Sequence, residues 1–134
     1  MLTYIIDDDA ISLFLIEQML RLEGVGSPIR TFAGAEEALR VLLAAPVAEA
    51  PAVVLLDLNI PVMSGWDFLE ALAPHAAALA GRCRVYLLTS SLALADMDRA
   101  QGHALVAGVI HKPLGEAEIS GIREALVREG AMAW

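Results

Sequence analysis

The chain has 134 residues, enough for one domain with a sizeable core and too few for two comfortable ones. Its 57% hydrophobic content excludes disorder, and its formal charge of -8, from 17 acidic residues against nine basic ones, opposes binding to nucleic acid or to an anionic membrane face. No uninterrupted apolar run reaches the roughly 18 residues of a membrane span, the start "MLTYIID" does not read as a secretory signal, and the one cysteine, Cys83, has no internal disulfide partner, so a cytoplasmic setting is expected.

In chain order, short and nearly continuous apolar runs alternate with segments of helical spacing. Strands are predicted at Leu2 to Ile6, Pro28 to Phe32, Ala52 to Leu56, Arg84 to Leu88 and Gly108 to His111. After the first, "AISLFLIEQMLRLEG" places Ile11, Leu15, Met19 and Leu22 on one stripe, with Gly24 as a stop. After the second, "AGAEEALRVLLAA" offers Ala35, Leu39 and Leu42 or Leu43. The third helix, in "SGWDFLEALAPHAAAL", opens with Ser64 and carries Asp67 three residues later, a capping-box pattern. "LALADMDRAQGH" and "EAEISGIREALVREG" supply the fourth and fifth helices.

Strands that alternate with helices require crossover connections, hence a parallel sheet covered on both faces, which is why the strands are apolar throughout. The expected fold is α/β and doubly wound, five strands in the order 2-1-3-4-5 with five helices, over residues 1–134 as a single domain. In such a sheet ligands bind outside the carboxyl ends of the strands, at the switch point. Strand one ends at Asp7 and Asp8, strand three at Asp57, strand four at Thr89 and strand five at Lys112, the only lysine.

Strands one and three are neighbours in this order, so Asp7, Asp8 and Asp57 should crowd together. Three adjacent carboxylates raise at least one pKa unless a cation neutralises them, and all-oxygen ligation favours Mg²⁺ or a similar hard ion. An ammonium (Lys112) and a hydroxyl (Thr89) converging on a metal-bound carboxylate make a pocket for a small dianion, and phosphoryl fits. Asp57 is then the nucleophile of aspartyl-phosphate chemistry, with Mg²⁺, Lys112 and Thr89 stabilising the transferring group and small Ser90 leaving the entrance open.

These residues carry a family resemblance. The run "DDD" after strand one, "LLDLNIPVMSGWDFL", "LLTSS" and "KP" resemble the receiver domain of response regulators in two-component signalling, the CheY-like, single-domain type. The resemblance implies that Asp57 accepts phosphoryl from a phosphohistidine on a sensor histidine kinase or a phosphotransfer protein. It implies Mg²⁺ on Asp8, Asp57 and the backbone carbonyl of Asn59, with Asp7 reaching it through water. Lys112 would contact the phosphoryl group, Lys112-Pro113 would be a cis peptide as in many such domains, and Thr89 would be the switch hydroxyl. One departure is Val109, at a position where many receivers carry a Tyr or Phe that moves with that hydroxyl.

The chain is thus expected to be a phosphoacceptor and interaction module, without metabolic activity and without room for an output domain. Being the receiver part of a longer regulator is the alternative. A Mg²⁺-dependent phosphatase ranks lower, because Asn59 stands where such hydrolases usually place a second Asp. A downstream protein partner is expected on the face of helix four, strand five and helix five, where Leu92, Leu94 and Met97 are more apolar than a solvated helix requires.

Overall fold

The computed structural model describes residues 2–25, 28–90 and 94–129, and of Leu94 only the backbone. Five strands, β1 (Thr3–Ile6), β2 (Ile29–Phe32), β3 (Val53–Asp57), β4 (Arg84–Thr89) and β5 (Val106–His111), form one sheet in the order β2-β1-β3-β4-β5. Every pairing is parallel. Among the described residues the crossover helices are α1 (Ala10–Leu22), α2 (Ala35–Ala44), α3 (Gly65–Leu72) and α4 (Leu94–Gln101), and α5 (Glu116–Arg128) follows the last strand. The expected architecture is the observed one. The third helical segment is interrupted: Pro74 sits in a 3-10 turn (Ala73–His75), which a single helical turn, Ala76–Leu79, follows. Proline cannot donate the backbone bond that a continuous helix needs there.

The sheet separates two apolar cores. On one face Tyr4, Ile6, Val54, Leu56 and Leu87 meet Ala38 and Leu42 of α2 and Phe68 and Leu72 of α3. On the other Ile5, Leu55 and Leu88 meet Ile16 and Leu20 of α1 and Ile119, Ile122 and Leu126 of α5. Central β1 and β3 are buried along their whole length, as two-sided cover demands. The edges are not: Arg30 and Thr31 of β2 are exposed, as are Ala107 and His111 of β5.

Three sequence expectations are corrected. β5 begins at Val106, two residues earlier than predicted, because an irregularity lies beside Val85/Tyr86: Val85 pairs with Val106 but Tyr86 with Gly108, leaving Ala107 as an extra residue. The slip puts Val106 and Val109, three residues apart, against the same core. In α1 the buried residues are Ile16 and Leu20, whereas Ile11 is 72%, Leu15 53% and Leu22 85% exposed. The helix is apolar nearly all round, so more than one stripe of helical spacing fits it, and tertiary contact rather than periodicity selects the buried one. In α2 it is Ala35, Ala38 and Leu42 that are buried, with Leu43 left exposed.

Candidate functional site

The site lies at the carboxyl ends of β1, β3, β4 and β5, beside the switch in strand order. The three carboxylates after β1 have separate fates. Asp7 is fully buried. Asp8 is exposed at the site's rim. Asp9 caps α1, its side chain accepting from the N–H groups of Ile11 at 2.9 Å and Ser12 at 3.4 Å.

Asp7 and Asp57 are held in the same way. Asp7 Oδ1 accepts from the Asp9 N–H at 3.0 Å, and Asp57 Oδ1 accepts from the Asn59 N–H at 3.0 Å. Each is a carboxylate bonded to the backbone two residues on, a local turn that Asp favours. Each then presents Oδ2 to Lys112, whose Nζ donates to Asp7 at 2.6 Å and to Asp57 at 3.1 Å. Lys112 is placed by the sheet: its backbone N–H donates to the Thr89 carbonyl at 2.8 Å, and the Lys112-Pro113 peptide is cis. Thr89 is buried at the end of β4. Ser90 is exposed beside it.

The electrostatics of the two buried carboxylates diverge. Burial pushes Asp7 up, but hydrogen bonds from Lys112, the Asp9 N–H and Ser12, together with the charge of Lys112, hold it below the ordinary carboxylate value. Burial also pushes Asp57 up; there the Asn59 N–H and Lys112 only partly offset it, and the charge of Asp7 adds to the rise. For Lys112 burial acts downward, yet its bonds to Asp7 and Asp57 win and the ammonium is held above its usual value.

Carboxylate oxygens of Asp7, Asp8 and Asp57 lie within 4.8 Å of one another. Three carboxylates against one ammonium leave two formal negative charges, the complement of a divalent cation. With oxygen donors alone, the cluster fits a hard ion of the Mg²⁺ type. The sequence had indicated every member of this group; it had not shown Asp9 as a cap, nor Ser12 as a donor to Asp7. Both follow from the first turn of α1 packing back on the site.

The loop after Asp57 is tightly closed. Gly65 N–H donates to the Leu58 carbonyl at 3.1 Å, and a Cβ on Gly65 would meet Leu58 Cα at 2.9 Å and the Asp57 carbonyl at 3.0 Å. Ser64 and Asp67 then form the predicted capping box at the start of α3. Between Leu58 and Ser64, Val62 takes a left-handed φ of 70° with 87% of its surface exposed. Elsewhere, Cys83 is buried, His75 and His111 are exposed, and Trp66 packs partly buried against the core. His103 is half-buried, and its ring bonds the Leu69 carbonyl at 3.0 Å.

The chain can now be set beside known proteins. A family profile described as response regulator receiver domain matches residues 3–123. A response regulator receiver protein from Dyadobacter fermentans is 29% identical, with a TM-score of 0.80 over 96% of each chain. A two-component response regulator from Cytophaga hutchinsonii is 26% identical, with a TM-score of 0.83 over 94% of this chain and 96% of that one. The response regulator TrrA from Thermotoga maritima, solved in complex with Mg(2+)-BeF, shares the fold at 19% identity and a TM-score of 0.73, over 92% of this chain and 96% of that one. No curated protein sequence matches the chain. No helix among the described residues is long and apolar enough to cross a membrane. A family match over most of the chain, on a fold whose sheet edge gathers these carboxylates and this lysine, makes the chain a member of the response regulator receiver domain family.

Proposed function

We propose that this chain is a phosphoacceptor receiver, a single signalling domain in which Asp57 takes a phosphoryl group from a phosphohistidine on a sensor histidine kinase or a phosphotransfer protein. The observation that carries the reading is Lys112 Nζ bonded at once to Asp7 and Asp57, with Asp8 at the rim of the same cluster. A carboxylate oxygen of Asp57 attacks phosphorus, the phosphorus–nitrogen bond breaks, and its electron pair returns to the donor imidazole. The product is an acyl phosphate. Asp8, Asp57 and the Asn59 carbonyl would hold Mg²⁺, with Asp7 joining through water, and the ion supplies charge neutralisation at the transferring group. Lys112 turns its ammonium toward the new phosphoryl oxygens, and the Thr89 hydroxyl donates to one of them. The same site then loses phosphate to water, so the only chemistry is its own labelling and release.

Two surfaces support a role between proteins. Beside the site a cavity of about 410 Å³ runs between α1 and the segment after β5, lined by Ser12, Leu15, Ile16, Met19, Lys112 and Pro113. Ile11 and Phe14 of the same helix, 72% and 61% exposed, add apolar surface elsewhere on α1. A phosphodonor must bring its histidine to Asp57, and an apolar surface that shares Lys112 with the site suits its docking. The downstream partner is assigned to the α4, β5 and α5 face, where a cavity of about 190 Å³ includes Met97, Val106 and Val109. Of the apolar residues expected there, Leu92 and the side chain of Leu94 lie outside the described residues.

Incubation with Mg²⁺ and acetyl phosphate tests the reading by intact mass. One base-labile phosphoryl group per chain is expected, and none on Asp57→Asn. Equal labelling of that variant would place the acceptor elsewhere.

A further inference from the structure

The helix that follows the Thr89 strand packs along β5, with a small apolar footing among the described side chains. Of α4 only Ala100 is fully buried among the side chains described, while Met97 is half-buried and Ala95, Asp98 and Arg99 are exposed. A helix with so small an apolar footing depends on its remaining contacts for its position.

Its charged and ring contacts go to one neighbour, α3. The Arg99 guanidinium carbon lies 4.4 Å from the centroid of the Trp66 ring, and Arg99 also donates to Glu70 at 2.9 Å. Just beyond the helix, His103 Nε2 bonds the Leu69 carbonyl at 3.0 Å; a carbonyl only accepts, so this nitrogen carries the proton. Trp66, Leu69 and Glu70 are spaced i, i+3, i+4 on α3, one face of that helix. The base of α3 is in turn locked to the phosphoacceptor loop, because Gly65 lies too close to Leu58 and the Asp57 carbonyl to carry a Cβ. The chain of contact runs from Asp57 through Gly65 and Trp66 to Arg99.

We infer that Arg99 stacked on Trp66 is a latch that holds α4 against α3, and that a phosphoryl group on Asp57 loosens it. The Arg99–Glu70 pair is exposed on both sides, 50% and 68%, so it orients the guanidinium while the ring face supplies most of the hold. A contact made in one arrangement of α4 and not in the other biases the balance by its own strength. The effect of that bias on Asp57 rests on the phosphoacceptor reading: by reciprocity, releasing the latch tightens the grip on a phosphoryl group. Arg99 is a positioning residue, remote from the reacting atoms.

The first measurement needs no phosphoryl. Amide hydrogen exchange of residues 94–101 is compared in the parent, Arg99→Ala, Trp66→Leu and the double variant. Each single change is expected to speed exchange about fivefold, the scale of one exposed cation–π contact. The double change should be no faster than the faster single one. Alanine is the better helix former, so faster exchange in Arg99→Ala cannot come from helix propensity. Unchanged exchange, or accelerations that multiply in the double variant, would overturn the latch. The second measurement is affinity for beryllofluoride with Mg²⁺. Arg99→Ala should bind about fivefold more tightly than the parent, and equal affinity would overturn the link between latch and site. No binding even to the parent would overturn the phosphoacceptor reading and with it that link, while the exchange comparison still decides whether the latch exists.

Discussion

The ammonium of Lys112 lies closer to Asp7 than to Asp57, at 2.6 Å against 3.1 Å. Asp7 is fully buried, and Lys112 is the cation that holds it ionised there.

Lys112→Ala is therefore expected to lower stability without metal by about 2 kcal/mol, the scale of a charged hydrogen bond lost beside a buried group. Asp7 has a depressed folded value, so its contribution is present above the unfolded value near 3.8 and lost as pH falls. Without Lys112 burial lifts its carboxyl above the unfolded value, so the deficit relative to the parent is full near pH 7 and narrows as pH falls. Urea titrations across pH 3 to 7 test both points. A variant with the parent's stability and pH dependence would show that Asp7 is neutralised by some other group.

The two carboxylates of the acidic run should separate by variant. Asp8 is exposed, so Asp8→Ala is expected to leave metal-free stability within about 0.5 kcal/mol of the parent and to abolish most of the Mg²⁺ stabilisation. Asp7→Ala removes the acceptor of both Lys112 and the Asp9 N–H and should destabilise with or without Mg²⁺. Thermal unfolding with and without the ion distinguishes them. An unaltered Mg²⁺ response in Asp8→Ala would place the metal elsewhere.

Within the loop after Asp57, two substitutions should have opposite signs. Gly65→Ala forces a Cβ against backbone atoms of Leu58 and Asp57 and is expected to cost about 1–3 kcal/mol. Val62→Gly relieves a β-branched residue of a left-handed φ at an exposed position and should gain about 1 kcal/mol. Denaturant midpoints decide, and a destabilised Val62→Gly would mean that this side chain holds the loop.

Cys83 supplies a pH dependence far from the site. Burial pushes its thiol from 9.0 up to about 12. Between those values the unfolded thiol has lost its proton and the folded one keeps it, so stability falls as pH rises. The parent should lose up to about 1.4 kcal/mol per pH unit more than Cys83→Ala in that window. Iodoacetamide should label Cys83 only after unfolding, and rapid labelling of the native chain at pH 8 would refute its burial.

The strand ends were legible because a parallel sheet puts all its carboxyl termini on one edge, so the residue after four of the five apolar runs points to a candidate site member. Ser64 and Asp67 were legible because a capping box is local. What the sequence did not reveal depends on contacts between distant segments. The exposed face of α1 could not be told from its buried one in so apolar a helix. The early start of β5 came from a slip opposite Tyr86 that no pattern within β5 displays. The stacking of Arg99 on Trp66 joins residues from separate crossovers, and nothing in either segment announces the other.

The extra residue in β5 has a consequence for how copies of this chain meet one another. β5 is an edge strand, and from Val106 to Ile110 it carries neither charge nor proline, the features that usually deter a second strand from adding itself. Ala107 breaks that edge one residue after it begins and increases its twist. An incoming strand would find only Gly108 to His111 in regular register before Lys112 turns into the site. An unguarded neutral edge thereby offers little length for aggregation, and the interruption lies far enough upstream that Lys112 still arrives beside Asp57.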